Sequence, residues 1–136
     1  IESVDENIGR LLGALEETGQ AESTAVIFFS DNGGVGHITD MAPLRGYKGT
    51  YYEGGIRVPM IVRWPGKVPA CRTSDQVWGM WDFLPTAAEL AGAKAPRNID
   101  GISMVNALTG NTQKGHEFIY WEFLRSKRFA QAVRMD

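Results

Sequence analysis

The chain has 136 residues, 43% hydrophobic and 22% charged, which is the size and composition of one ordinary globular domain. Fourteen Lys and Arg against sixteen Asp and Glu give a net charge of −2, and no apolar run approaches the ~20 residues that span a bilayer. We therefore expect neither nucleic acid nor a membrane as a partner, and the single cysteine, Cys71, excludes an intramolecular disulfide and a multi-cysteine metal site.

The first predicted elements are a helix and a strand. Apolar residues recur at spacings of three and four from Ile1 to Leu15, and Gly19 is placed to end this amphipathic helix. The continuous apolar run Ala25–Phe29 then predicts a buried strand. A helix followed by a strand that is apolar on both faces is typical of a βαβ unit, so we expect an α/β fold with a parallel or mixed central sheet.

A glycine-rich segment follows the strand, with seven glycines between Gly33 and Gly55. Its tyrosines and balanced charge favour an ordered functional loop over disorder. The later pattern predicts strands at Met60–Trp64 and Gln76–Trp78, helices from Asp82 to Gly92 and from Ile102 to Leu108, and strands at Phe118–Phe123 and Phe129–Met135. Polar residues at 110–115 read as a linker, so residues 1–110 form one predicted unit and residues 111–136 begin a small antiparallel β subdomain.

Asp31 and Asn32 come directly after the predicted buried strand. Ligands of open α/β sheets gather beyond the carboxyl ends of strands, and carboxylate and amide oxygens are donors that Ca²⁺ and Mg²⁺ accept. Neighbouring side chains of a straight strand point to opposite faces, so both can reach one ion only if the chain bends, as Gly33 and Gly34 permit. The alternative is an ordinary Asp-Asn-Gly turn without a ligand.

Lys48 is the second candidate, between Gly46 and Gly49 in the long loop. Its ammonium group could pair with an anionic oxygen, or it could be a solvated surface charge. Because Tyr47 precedes Lys48, the segment is not a Walker A loop, and nucleotide binding has no motif support.

Several stretches in this order resemble the sulfatase family of the alkaline-phosphatase-like superfamily. They are Val4–Leu12, Ser30–Gly33, Gly46–Thr50, Tyr52–Pro59, Trp64–Gly66 and Asp82–Thr86. The resemblance extends over nearly the whole chain and corresponds to the C-terminal half of such an enzyme. It implies an alkaline-phosphatase-like sandwich and, in the intact protein, hydrolysis of a sulfate ester, either an aryl sulfate or a sulfated sugar.

The resemblance also assigns roles to the candidates. Asp31 and Asn32 match two calcium ligands of the family, and Lys48 matches a lysine that contacts the sulfate group. The family's formylglycine nucleophile is made from Cys or Ser in a Cys/Ser-x-Pro/Ala-x-Arg motif, which the segment from Cys71 to Asp75 does not match. We therefore expect a piece of a longer protein that lacks the nucleophile, is inactive alone and binds Ca²⁺ weakly.

Two alternatives stay open. A phosphoesterase or phosphonate hydrolase of the same superfamily would use similar chemistry, although such enzymes usually bind two metals through more carboxylates and histidines than the neutral Asn32 suggests. A noncatalytic binding or assembly module would keep the fold without the reaction. Exposed apolar surface would further favour self-association. The compartment is unknown; the habit of the family is periplasmic, secreted or lysosomal.

Overall fold

A computed structural model describes residues 1–125 and 128–135. Its helices are α1 (Glu2–Glu17), α2 (Glu53–Ile56), α3 (Phe83–Leu90) and α4 (Val105–Thr109), with single 3₁₀ turns at Ala21–Ser23 and Met80–Asp82. Its strands are β1 (Val26–Phe29), β2 (Met60–Arg63), β3 (Phe118–Arg125) and β4 (Arg128–Met135). Residues 126, 127 and 136 of the predicted C-terminal subdomain lie outside the described residues. No helix in the described ranges is long and apolar enough to cross a membrane.

Helix α1 ends as the sequence predicts. The amide of Gly19, which has φ +67, donates to Glu16 O, and the amide of Gln20 donates to Leu15 O at 2.8 Å. A left-handed residue after the last turn is the usual way to satisfy final helix carbonyls, and glycine adopts it without a Cβ clash. None of the residues of α1 is fully buried: in its apolar stripe Ile8, Leu12 and Leu15 are half-buried, and Val4 and Leu11 remain 52% exposed.

Strand β1 pairs with β2 in an antiparallel two-stranded sheet, with Val26 opposite Arg63 and Phe29 opposite Met60. The expected parallel or mixed central sheet is therefore not confirmed, and no parallel pair occurs among the described residues. The only α-helix described between β1 and β2 is the four-residue α2, and the segment folds back so that β2 returns along β1 in the opposite direction. The strand is only half-buried, because Phe28 remains 43% exposed.

The second sheet is the predicted antiparallel hairpin of β3 and β4, in which Phe118 lies opposite Met135. Helices α3 and α4 also form where the sequence predicts them, although α4 begins three residues later than Ile102. The predicted strand at Gln76–Trp78 is wrong, because these residues have no strand partner and run as irregular chain before α3. The division of the chain at residue 110 stays a prediction.

The hairpin is joined to α3 through a buried carboxylate. Asp82 is 0% exposed and accepts hydrogen bonds from the amides of Gly79 at 2.7 Å and Ile102 at 2.9 Å. His116 Nε2 lies 2.8 Å from the Oδ1 atom of the same carboxylate, just before β3 begins. Asp82 therefore connects the start of α3, the segment that leads to α4 and the base of the hairpin.

The hydrophobic core of the described residues is small. Its buried apolar side chains are Met104, Leu108 and Ile119. The accessible surface of this 15.0 kDa chain is 10502 Å². A compact monomer of the same mass exposes about 7,000 Å². The chain thus presents roughly 3,500 Å² more surface than a self-contained domain of its size.

Candidate functional site

The first part of the candidate site is the turn that follows β1. The chain bends at Asp31 and Asn32, as a shared ligand site for the two side chains requires. The hydroxyl of Ser30 donates to the carbonyl of Asn32 at 2.9 Å, and the amide of Gly33 donates to Gly55 O at 2.9 Å. A Cβ atom on Gly33 would lie 1.8 Å from Gly54 O, so only glycine permits this close contact of two backbones.

The second part is the loop that contains Lys48. The amide of Lys48 donates to Gly34 O at 2.9 Å, so its backbone is hydrogen-bonded to the turn that holds Asp31 and Asn32. The hydroxyl of Thr50 donates to Tyr47 O at 2.8 Å and closes the loop around the lysine. The structure thus brings the backbones that carry all three predicted site residues together.

The side chains of Asp31, Asn32 and Lys48 have no partner among the described residues. Asp31 and Lys48 are exposed and Asn32 is half-buried, and none of the three side chains makes a hydrogen bond or ion pair within residues 1–125 and 128–135. Carboxylate and amide oxygens in this state are chemically suited to a hard divalent cation such as Ca²⁺. Nowhere in the described residues do three or more His, Cys, Asp or Glu side chains form a group that could hold a metal.

A cavity of about 340 Å³ lies in the segment that connects the turn to Lys48. Its walls include Asp40, Met41, Pro43 and Tyr47, which offer a carboxylate, two apolar surfaces and an aromatic ring. His37, in the same segment, is exposed and does not line the cavity.

Comparison with known proteins decides the family. The Sulfatase family model matches residues 1–93. The chain belongs to the sulfatase family. A curated sulfatase from Formosa agariphila is 42% identical over 90% of this chain and 25% of its own length, and the steryl-sulfatase of Mus musculus is 38% identical over 98% and 23%. The chain thus spans about a quarter of the length of these sulfatases.

Solved structures share the fold of this chain. The crystal structure of Ps i-CgsB in complex with k-i-k-neocarrahexaose superimposes with a TM-score of 0.88, at 37% identity over 97% of this chain and 30% of that one. A structure of BT4656 in complex with its substrate D-glucosamine-2-N,6-O-disulfate superimposes with a TM-score of 0.80, at 28% identity over 97% of this chain and 28% of that one. A phosphonate monoester hydrolase from Silicibacter pomeroyi superimposes with a TM-score of 0.69, at 26% identity over 88% of this chain and 23% of that one.

Cys71, the only cysteine of this sulfatase-family chain, is an exposed free thiol with φ +55. It lies in the irregular segment after β2, within the matched residues. Neither a buried network nor a metal group surrounds it in the described part of the chain. Its assignment as a thiol outside the nucleophile motif stays a prediction.

Sequence reasoning missed two long-range contacts. The ion pair of Glu53 with Arg57, at 3.3 Å, joins residues four apart within one helix, but Glu53 also pairs with Arg134 on β4 at 3.2 Å. The second missed contact is that of Asp82 with His116. In both cases the residues are far apart in sequence, and no local pattern marks them as partners.

Two tyrosines mark where the Lys48 loop meets the hairpin. Burial, followed by the negative charge of Glu122 on β3, raises the pKa of the Tyr51 hydroxyl. The hydrogen bond to Glu122, first among several causes, raises the pKa of Tyr120, which lies on the same strand. A single carboxylate on the hairpin therefore influences a residue of each segment.

Proposed function

We propose that this chain forms part of an enzyme that hydrolyses a sulfate ester, with Asp31 and Asn32 as ligands of one Ca²⁺ and Lys48 as a sulfate contact. The observation that carries the proposal is the hydrogen bond from Lys48 N to Gly34 O, which joins the lysine loop to the turn that follows β1. Membership of the sulfatase family supports it.

The chemistry of ester cleavage explains these roles. Negative charge grows on the oxygens of the sulfate group as the ester bond breaks, and a nearby ammonium group stabilises that charge. The uncommitted Lys48 ammonium is suited to this task, since no carboxylate in the described residues neutralises it. When bound, Ca²⁺ would supply electrostatic stabilisation to the same group. We propose that the formylglycine nucleophile belongs to another part of the intact enzyme.

The organic part of the ester would occupy the cavity before Lys48. Its aromatic and apolar walls can face carbon surfaces, whereas the Asp40 carboxylate can accept hydrogen bonds from hydroxyl groups. We propose this placement for an aryl or sugar group alike.

The proposed reaction is tested by comparing ester classes on an intact sulfatase that contains this chain. We expect turnover of a 4-nitrophenyl sulfate or a sulfated sugar to exceed that of the matching phosphate and phosphonate esters. A preference for the phosphonate ester would replace the proposal with the activity named for the Silicibacter pomeroyi neighbour. Absence of any turnover, with an intact nucleophile motif and calcium present, would favour a noncatalytic binding module.

Calcium binding by the 136-residue chain alone is expected to be weak. Ca²⁺ takes about 6–8 oxygen ligands, and Asp31 with Asn32 supplies at most about three of them. Isothermal titration of the chain with CaCl₂ should therefore show no stoichiometric binding at micromolar concentrations, and the chain should not hydrolyse 4-nitrophenyl sulfate. Tight one-to-one uptake, or turnover abolished by Lys48→Ala, would contradict the division of the site between this chain and another segment.

We further propose that the isolated chain self-associates. Its excess surface of roughly 3,500 Å² is more than the roughly 1,000–2,500 Å² that each partner of an obligate dimer buries, so one chain exposes enough surface for association. Both sheets carry exposed apolar residues, among them Phe28, Ile61, Phe123 and Leu124. In an intact sulfatase, further strands of a mixed sheet would cover β1 and its neighbours instead. Sedimentation velocity at tens of micromolar should show dimers or larger species, and a clean monomer would contradict this prediction.

A further inference from the structure

Helix α2 connects the two parts of the candidate site. The amide of Gly54 donates to Arg45 O at 2.8 Å, at the start of the Lys48 loop. The carbonyl of the following residue, Gly55, accepts a hydrogen bond from the amide of Gly33, in the turn that holds Asp31 and Asn32. Because both segments bond to consecutive residues of one short helix, the position of α2 determines their relative placement.

The contacts around α2 are made by backbone atoms. A Cβ on Gly54 would lie 2.2 Å from Gly46 O, and a Cβ on Gly55 would lie 2.1 Å from Thr50 O. These distances leave no space for a side chain that could adjust its rotamer. A displacement of α2 must therefore move the Lys48 loop with it, since interiors packed this closely transmit strain.

The first residue of α2 is held from the C-terminal hairpin. The two carboxylate oxygens of Glu53 accept from different arginines: Oε2 from Arg57 Nη1 at 3.3 Å within the helix, and Oε1 from Arg134 Nη1 at 3.2 Å on β4. Arg134 is itself fixed by strand register, opposite Ile119, which is 5% exposed and part of the core.

From this geometry we propose that Glu53 and Arg134 are positioning residues, through which the β3–β4 hairpin sets Lys48 relative to Asp31 and Asn32. The hairpin is then part of the scaffold of the site. The effect on catalysis rests on the proposed sulfatase function, whereas the effect on loop position does not.

The catalytic test compares two arginines that share one carboxylate. In an intact sulfatase that contains this chain, Arg134→Gln should lower kcat/KM by about tenfold to a hundredfold, mainly through kcat, because misplacement by about 1 Å has such costs. Arg57→Gln removes an equal charge from Glu53 without breaking the link to the hairpin and should change kcat/KM less than threefold. Arg134→Lys, which keeps the charge, should restore most of the activity. Equal effects of the two Gln variants, or native kcat/KM in both, would overturn the proposal.

A double-mutant cycle makes the assignment specific. If Glu53 and Arg134 act as one unit, Glu53→Gln combined with Arg134→Gln should be no worse than either single variant. Additive losses would show two independent structural effects and contradict the proposal. Arg63→Gln, which breaks the ion pair of β2 with Glu16 on α1 at 3.0 Å, controls for the general loss of a long-range pair and should leave kcat/KM unchanged.

Amide NMR of the 136-residue chain separates this proposal from the proposed function. Arg134→Gln should shift the amide signals of Gly33 and Lys48, whereas Arg57→Gln should leave both near their native positions. The amide of Gly79, bonded to Asp82, serves as a reference that neither variant should move. Shifts in an enzyme without sulfatase activity would reject the function but keep the positioning role, and the absence of shifts would reject the positioning role itself.

Discussion

Replacing Lys48 with alanine should lower kcat/KM for sulfate ester hydrolysis by about 10²–10³-fold in an intact sulfatase that contains this chain. The reason is that a preorganised positive charge stabilises the transition state more than the ground state, and no other described cation is joined to the turn of Asp31 and Asn32 by a backbone hydrogen bond. The loss should appear in kcat as well as in KM. Steady-state kinetics with 4-nitrophenyl sulfate measures both.

The lysine variants can be separated from effects on folding. The Lys48 side chain is exposed and makes no described contact, so its truncation should change the free energy of unfolding by less than about 0.5 kcal/mol. Lys67→Ala is the matched control, because Lys67 is an exposed lysine in the turn after β2 and lies outside the site. Lys48→Arg keeps a positive charge with a different geometry, so its kcat/KM should lie between those of the native protein and Lys48→Ala. Equal activity of the Lys48→Ala and Lys67→Ala variants would remove Lys48 from the proposed site.

Local signals explain what the sequence could predict. The end of helix α1 before Gly19 could be predicted because periodicity and a left-handed glycine act within one or two turns of chain. The turn at Asp31 and Asn32 follows from its place after an apolar strand, and the Lys48 loop was recognised by its own residues. Each of these features depends on neighbours in sequence, which a linear pattern records.

The features that the sequence could not predict depend on long-range contacts. Glu53 and Arg134 are 81 positions apart, and Asp82 and His116 are 34 apart. Their pairing depends on how helices and the hairpin pack, and charged residues on a surface have many candidate partners. The parallel or mixed sheet could not be confirmed for a related reason. The apolarity of β1 predicts burial on both faces but does not identify which strand pairs with it or in which direction. The antiparallel neighbour β2 is set by the path of the intervening loop.

The largest effect on stability is expected at Asp82. Its carboxylate is fully buried and is the common acceptor for two backbone amides and the ring of His116. Asp82→Ala leaves one buried and two part-buried donors without an acceptor and opens a cavity, so it should lower the free energy of unfolding by about 3–5 kcal/mol. Since small domains are stable by about 5–15 kcal/mol, the variant should be largely unfolded or close to its unfolding midpoint at 37 °C. Urea denaturation monitored by tryptophan fluorescence measures the change.

Thr86, one helical turn after Asp82, joins Asp82 to the buried core. Its hydroxyl donates to Asp82 O at 2.6 Å and accepts from Met104 N at 2.9 Å, so the first turn of α3 is bonded both to Asp82 and to the core. Loss of the carboxylate should therefore loosen α3, α4 and the base of the hairpin together. Hydrogen exchange at the amide of Met104 should accelerate in Asp82→Ala even though that amide does not bond to the carboxylate.

Two comparisons distinguish the network from a general effect of removing an acidic residue. Asp82→Asn keeps one acceptor oxygen but directs an amide toward donors, so it should cost about 1–3 kcal/mol, less than alanine. Asp100→Asn changes an exposed carboxylate and should stay within about 0.5 kcal/mol of native. Because His116 loses its partner in Asp82→Ala, adding His116→Ala should cost less than it does alone. If instead the two losses were additive, the carboxylate and the ring would be separate contributors, and the hairpin would be held to α3 by packing around Ile119.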